Sequence, residues 1–145
     1  MDIERIGSDL QETLVELTGL SMQAKQLHWN VVGRQFRSLH EQLDSLTAEA
    51  RAAADAVAER AVAIGYAPDG RAATVAKESP LAEVPGGRVR DSAVIELVVA
   101  ALTTVTERLQ PRVQRLGEHP VTQDVLIGVQ AGLEKQRWMF SAQQS

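Results

Sequence analysis

Between Gly33 and Gly65 the chain contains neither glycine nor proline, and Ala, Leu, Glu and Arg dominate the stretch. These are strong helix formers, and glycine at both ends is ordinary helix punctuation. Leu39, Leu43, Leu46, Ala50, Val57, Ala61 and Ile64 recur at the three- and four-residue steps of a single helix face. The spacing predicts one long helix over Phe36–Ile64. A helix that long with one apolar seam has to bury that seam against other helices. The composition agrees: 44% of residues are hydrophobic but only 3% aromatic. Small and aliphatic side chains suit close helix packing better than a β-sandwich.

The remaining chain supplies the partners. Leu10, Leu14, Leu17, Leu20, Ala24, Leu27 and Val31 form a second helical seam. Ser8 and Gln11 have the spacing of a capping box, which predicts a start near Ser8, and Gly33 is the predicted end. The turn into the next helix is short, so these two helices are antiparallel neighbours. Residues 65–91 hold three prolines and four glycines, too long a stretch for a simple turn. They read as a long crossover with room for a short helix at Ala72–Lys77 or Pro80–Val84. A third helix starts at Asp91 or Ser92 as cap, with Val94, Val98, Ala101, Val105, Leu109 and Leu116 as its seam. Pro111 is expected to kink or break it, and Gly117 to end it. Pro120 and Thr122 open a fourth helix whose inner face is Leu126, Val129, Leu133 and Phe140. Residues 1–145 are thus expected to form a single all-α domain, a four-helix bundle with a long crossover, large enough for a real core.

The stretch from His28 to Glu59 also carries chemistry. His28, His40, Asp44, Asp55 and Glu59 are candidate metal ligands, and two of the chain's three histidines fall here. Imidazole with carboxylate suits iron, zinc or manganese. At about 100° per residue, the last four form a stripe roughly 140° from the centre of the apolar seam. His40 and Asp44 are one turn apart, as are Asp55 and Glu59. Asp44 and Asp55, however, are separated by about 16 Å along the axis. Metal–ligand bonds are only about 2 Å long, so one straight helix cannot bring both pairs to one metal. Either there are two weak half-sites, or two copies of the chain meet and each donates half. An antiparallel two-fold contact would set His40 and Asp44 of one copy against Asp55 and Glu59 of the other, twice over. Plainer readings exist for each residue alone: Asp55 and Glu59 as a solvated face, His40 with Asp44 as a surface ion pair, His28 as a buried, satisfied histidine. Trp29 reads either as packed at the site margin or as an ordinary core aromatic.

The pattern His-Trp-Asn-Val, then Phe-x-x-Leu-His-x-x-x-Asp, then Asp-x-x-x-Glu-Arg resembles the Dps family of ferritin-like mini-ferritins. The ligand intervals of twelve, four, eleven and four match that family's ferroxidase motif without insertion. The segment PVTQDVLIGVQAGLEKQRWMF resembles its last helix, with Leu133-Glu134-Lys135 and Trp138 in place. The resemblance implies a ferritin-like bundle assembled into a dodecameric hollow shell. It implies a ferroxidase that binds Fe(II) at two-fold contacts through His28, His40, Asp44, Asp55 and Glu59. The oxidant would be hydrogen peroxide or O2, and iron (Fe2+/Fe3+) would be kept inside as ferric mineral, protecting the cell against oxidative damage. Asp124 stands where the family has an acidic residue lining a negative pore, although a carboxylate there also suits a helix N-terminus. His119 and Pro120 stand where family members often have acidic residues, which argues against a strongly acidic pore.

Other classes are disfavoured. The net charge is −4, and phosphate binding needs clustered Lys and Arg. Family members that bind DNA directly often carry Lys-rich tails, whereas here Arg5 is the one basic residue in the first ten and none follows Arg137. The alternative of a DNA-compacting nucleoid protein would rest on a small patch of Arg34, Arg37 and the 88–90 loop. A third possibility is a structural bundle whose site is empty or holds zinc. There is no cysteine, which excludes disulfides and thiolate ligands. No apolar run approaches about 18 residues and MDIERIGSDL has no apolar signal core, so the expectation is a cytoplasmic protein with no membrane partner.

Overall fold

The computed structural model describes residues 2–144. Four long helices carry the architecture: α1 (Ile3–Asn30), α2 (Phe36–Ala63), α4 (Asp91–Arg115) and α5 (Pro120–Ser141). The crossover between α2 and α4 holds the short α3 (Ala72–Glu78), the first of the two positions expected. The predicted seams are where the core lies. Leu10, Leu17 and Leu20 of α1, Leu39, Leu43, Leu46 and Val57 of α2, Val94, Val105 and Leu109 of α4, and Leu126, Leu133 and Phe140 of α5 are all buried. Ile64 and Ala101 pack at its margin.

Side-chain pairs between helices give their directions. Arg115 donates to Asp9 and Arg108 to Glu16, so the end of α4 meets the start of α1 and the two run antiparallel. Arg60 donates to Thr122, and Gln143, just beyond α5, donates to Gln42, so α2 and α5 are antiparallel as well. The bundle is therefore two hairpins joined by one long connection, the topology that the resemblance implied. A two-residue parallel pairing closes one end. Val31–Val32 (β1) pairs with Val89–Arg90 (β2), Val31 opposite Val89 and Val32 opposite Arg90.

Several expected boundaries move, each for a physical reason. The helix does not start at Ser8: α1 begins at Ile3, where the Asp2 carboxylate accepts the Arg5 N–H at 3.1 Å. Starting earlier buries Ile6. It also leaves Gln11 free to exchange two 2.8 Å hydrogen bonds with the backbone of Asp69, which ties the crossover to α1. Gly7 completes that tie, because a Cβ there would stand 2.0 Å from the Tyr66 ring. At its other end α1 stops at Asn30, because Val31 turns extended to pair with Val89. Gly33 lies in the turn after β1, at φ 128°, with the Asp91 carboxylate where a side chain would be. Asp91 is the first residue of α4, and Arg90 is its cap. The Asp91 carboxylate accepts the N–H of Gln35 (3.0 Å) and of Ser92 (2.8 Å), and the Gln35 bond chiefly holds its pKa below the ordinary value. Pro111 does not break α4, which continues to Arg115 and is capped by Leu116, one residue ahead of Gly117. Thr122 is buried in the first turn of α5 as the acceptor of Arg60, with Pro120 as the first helical residue. No helix among the described residues is long and apolar enough to cross a membrane.

Candidate metal centre

The tight connection after α1 places His28, in the last turn of that helix, against His40 in the second turn of α2. Their rings stack with centroids 3.8 Å apart and planes 12° from parallel. Each imidazole bonds to the other residue's backbone: His28 Nδ1 donates to the His40 carbonyl at 2.5 Å, and His40 Nδ1 donates to the His28 carbonyl at 2.8 Å. A carbonyl oxygen can only accept, so both Nδ1 atoms carry a proton, and in the neutral ring it is Nε2 that keeps the lone pair. That is the tautomer a metal-ligating histidine needs, held here by the backbone in the manner of an outer partner to a metal ligand. Phe36 stacks on His40 at 5.0 Å and 23°. His28 is buried, as one reading of the sequence expected, and of its two nitrogens Nδ1 is the one bonded within the protomer among the described residues.

Asp44 stands one turn after His40. Its expected partner in the plain reading was His40; instead its carboxylate is bonded by the Lys25 ammonium, from α1. That hydrogen bond is the main reason its pKa lies below the ordinary carboxylate value, with some opposition from desolvation. Lys25 did not stand out in the sequence. Its signal was its place, three residues before His28 and hence on the same stretch of helix face.

Asp55 and Glu59 are exposed on the outward side of α2, and neither takes part in an ion pair or a side-chain hydrogen bond among the described residues. Nowhere among those residues do three His, Asp or Glu side chains converge to hold a metal. Within one protomer the structure therefore brings His28 and His40 together, with Asp44 beside them under Lys25, and leaves Asp55 and Glu59 apart. Trp29 is 65% exposed, so the reading of it as a core aromatic fails. Phe36 and Val62 are exposed as well, giving the ligand-bearing side an apolar margin. Asp124 is exposed early in α5 and lines an open groove of about 400 Å³ with Glu49, Ala52, Ala56 and Gly128.

Comparison with known proteins bears on this arrangement. Residues 8–145 match the family described as "Ferritin-like domain". The chain is 38% identical over 142 residues to DNA protection during starvation protein 2 of Deinococcus radiodurans, covering 97% of this chain and 59% of that relative's length. The solved structure of Dps92 from Deinococcus radiodurans superposes with a TM-score of 0.95 at 38% identity, covering 97% of this chain and 86% of the other. The structure of Dps from Microbacterium arborescens in the high iron form superposes with a TM-score of 0.92 at 34% identity, covering 97% and 92% of the two chains.

Proposed function

The chain belongs to the Dps family of ferritin-like proteins, and on that premise we propose that it is an iron-oxidising, iron-storing mini-ferritin of the cytoplasm. Its substrate is Fe(II). Two copies meet at a two-fold contact and build two sites, each from His28, His40 and Asp44 of one copy and Asp55 and Glu59 of the other. Twelve copies close into a hollow shell that keeps the ferric product. The observation that carries this reading is the split donor set. One half presents two imidazoles whose Nδ1 atoms are bonded to backbone carbonyls, and the other presents two carboxylates one turn apart that are unpaired among the described residues. Among the described residues, neither half completes a metal site within the protomer.

The chemistry comes from the donors. Neutral imidazole suits Fe(II), while carboxylate oxygens favour the harder Fe(III), so the mixed set stabilises the oxidised ion. In the overall reaction two Fe(II) each give one electron to hydrogen peroxide. The O–O bond breaks, and with two protons two waters form. Consuming Fe(II) and peroxide together suppresses hydroxyl radical formation, which would protect nearby macromolecules. Native mass spectrometry with an anaerobic Fe(II) titration followed by peroxide tests the whole reading. A dodecamer-sized particle and a rapid rise in ferric absorbance are expected. A stable monomer with full oxidising activity would sink the shared-site model.

Direct DNA compaction is not favoured. The net charge is −4, and Arg37, one of the four exposed arginines of the candidate patch, is paired with Glu41. The expected outcome is no gel-shift complex with duplex DNA near physiological salt, where the Debye length is about 8 Å. A tight complex at that salt would move the function toward the nucleoid.

A further inference from the structure

Two buried side-chain oxygens lack a hydrogen-bond partner among the described residues, Glu49 Oε2 of α2 and Gln136 Oε1 of α5. Gln136 is 6% exposed. A neighbouring pair fixes their level along the seam between the two helices: Gln143 donates to Gln42. Glu49 lies seven residues after Gln42, and Gln136 lies seven before Gln143 on the antiparallel partner. Each step is about two helical turns, so Glu49 and Gln136 share one level of the seam. The other Glu49 oxygen, Oε1, stands 3.0 Å from where a Cβ of Gly132 would be, one turn before Gln136. A carboxylate and an amide oxygen only accept, so neither atom can satisfy the other. Native chains rarely bury an acceptor without a donor, and what is missing here is a donor.

A groove leads to this point. Glu49 lines one end of the open groove of about 400 Å³ between α2 and α5, and Asp124 lines it as well. Asp124 is eight residues before Gly132, about 12 Å along the helix axis. Between the two carboxylates the floor is small and apolar, with Ala52, Ala56 and Gly128. No lysine or arginine lines the groove, and no ion pair among the described residues involves Glu49 or Asp124. The complement of such a surface is a chain of methylenes with a cation at each end. An ammonium brings three N–H donors, enough for Glu49 and Gln136 together. The methylenes cover the alanine and glycine floor. A bare metal ion suits it less, because it would find few protein oxygens and apolar walls. We propose that this groove binds a linear aliphatic diamine of the polyamine class, with one ammonium on Glu49 and Gln136 and the other toward Asp124. The site is built from α2 and α5, apart from the imidazole pair that α1 and α2 hold.

Titration calorimetry of the metal-free assembled protein with hexamethylenediamine is the test, with hexylamine and hexanol as the singly charged and uncharged probes. The diamine should bind, hexylamine more weakly, and hexanol about 10-fold more weakly again, the scale of one charge-assisted hydrogen bond. Glu49→Gln keeps the shape, removes the charge and should weaken the diamine by about 10-fold. Gly128→Leu is the steric counterpart. A Cβ at Gly128 meets nothing within 4 Å, so the leucine fits the fold and fills the groove. It should abolish binding while native mass spectrometry still shows the wild-type particle. Asp124→Asn should bring the diamine down to the level of hexylamine. A wild type that binds no diamine overturns the proposal, because a turned Gln136 amide, a water or another copy of the chain then satisfies Glu49. Diamine binding that survives both Glu49→Gln and Gly128→Leu overturns it too, as does hexanol binding as tightly as the diamine.

Discussion

Co-assembling a His40→Ala/Asp44→Ala variant with an Asp55→Ala/Glu59→Ala variant is expected to restore Fe(II) oxidation that neither variant carries alone. The reason for expecting this lies in the helix itself. Asp44 and Asp55 are about 16 Å apart along α2, and no bend of a continuous helix brings them to one ion. Each variant by itself lacks half the ligands at every site. The loss should be at least the 10- to 100-fold typical of removing even an outer partner of a metal ligand. In a mixed contact, one site combines both damaged halves and is dead, while the other combines both intact halves. With equal, random mixing, roughly a quarter of the wild-type sites should return. Unfolding and refolding the two chains together gives the mixed shells, and native mass spectrometry verifies the mixing. If well-mixed shells oxidise Fe(II) no faster than either parent, the two-chain site is wrong.

The largest stability effect is expected far from that site, between α1 and α4. Arg112 and Glu16 are almost completely buried, with side-chain exposures of 3% and 1%. They bond in a fork, at 2.9 Å and 2.6 Å, and Arg112 also donates to Glu12 and to the Thr13 hydroxyl. Arg108 adds a bond to Glu16 at 2.9 Å. Burial works against the Arg112 charge, but Glu16 and Glu12 outweigh it, so its pKa is raised rather than lowered. Glu16→Ala leaves that guanidinium buried without its main counter-charge. The expected cost is about 3–5 kcal/mol in denaturant unfolding, the scale for breaking one side of a buried pair. Replacing Glu16 and Arg112 together with Met should recover most of the loss, because the half-exposed Arg108 and Glu12 can turn to water. A Glu16→Ala cost below about 1 kcal/mol would place this pair with ordinary surface bridges and refute its structural role.

Which features are legible in the sequence depends on the range of the forces that set them. The seams of α1, α2, α4 and α5 can be read because the helix repeat is a local geometric constant. Leu39, Leu43 and Leu46 must share a face whatever surrounds them. The same constant places His40 and Asp44 on one turn and Asp55 and Glu59 on another, and separates the pairs by more than one metal can span. The crossover is legible from its prolines and glycines. The start of α1 is not, because Ser8 and Gln11 satisfy the capping pattern equally well whether or not Gln11 is instead claimed by Asp69, 58 residues away. Nor does the sequence disclose that Asp44 is held by Lys25 rather than by His40, or that His28 and His40 lock each other's tautomer through their carbonyls. Those choices depend on side chains of α1 and α2 meeting in space, where the winning partner is set by distance and direction after packing. Helical periodicity determined which residues face outward as possible ligands; only the tertiary structure decided which of their atoms are already taken and which remain free for a metal.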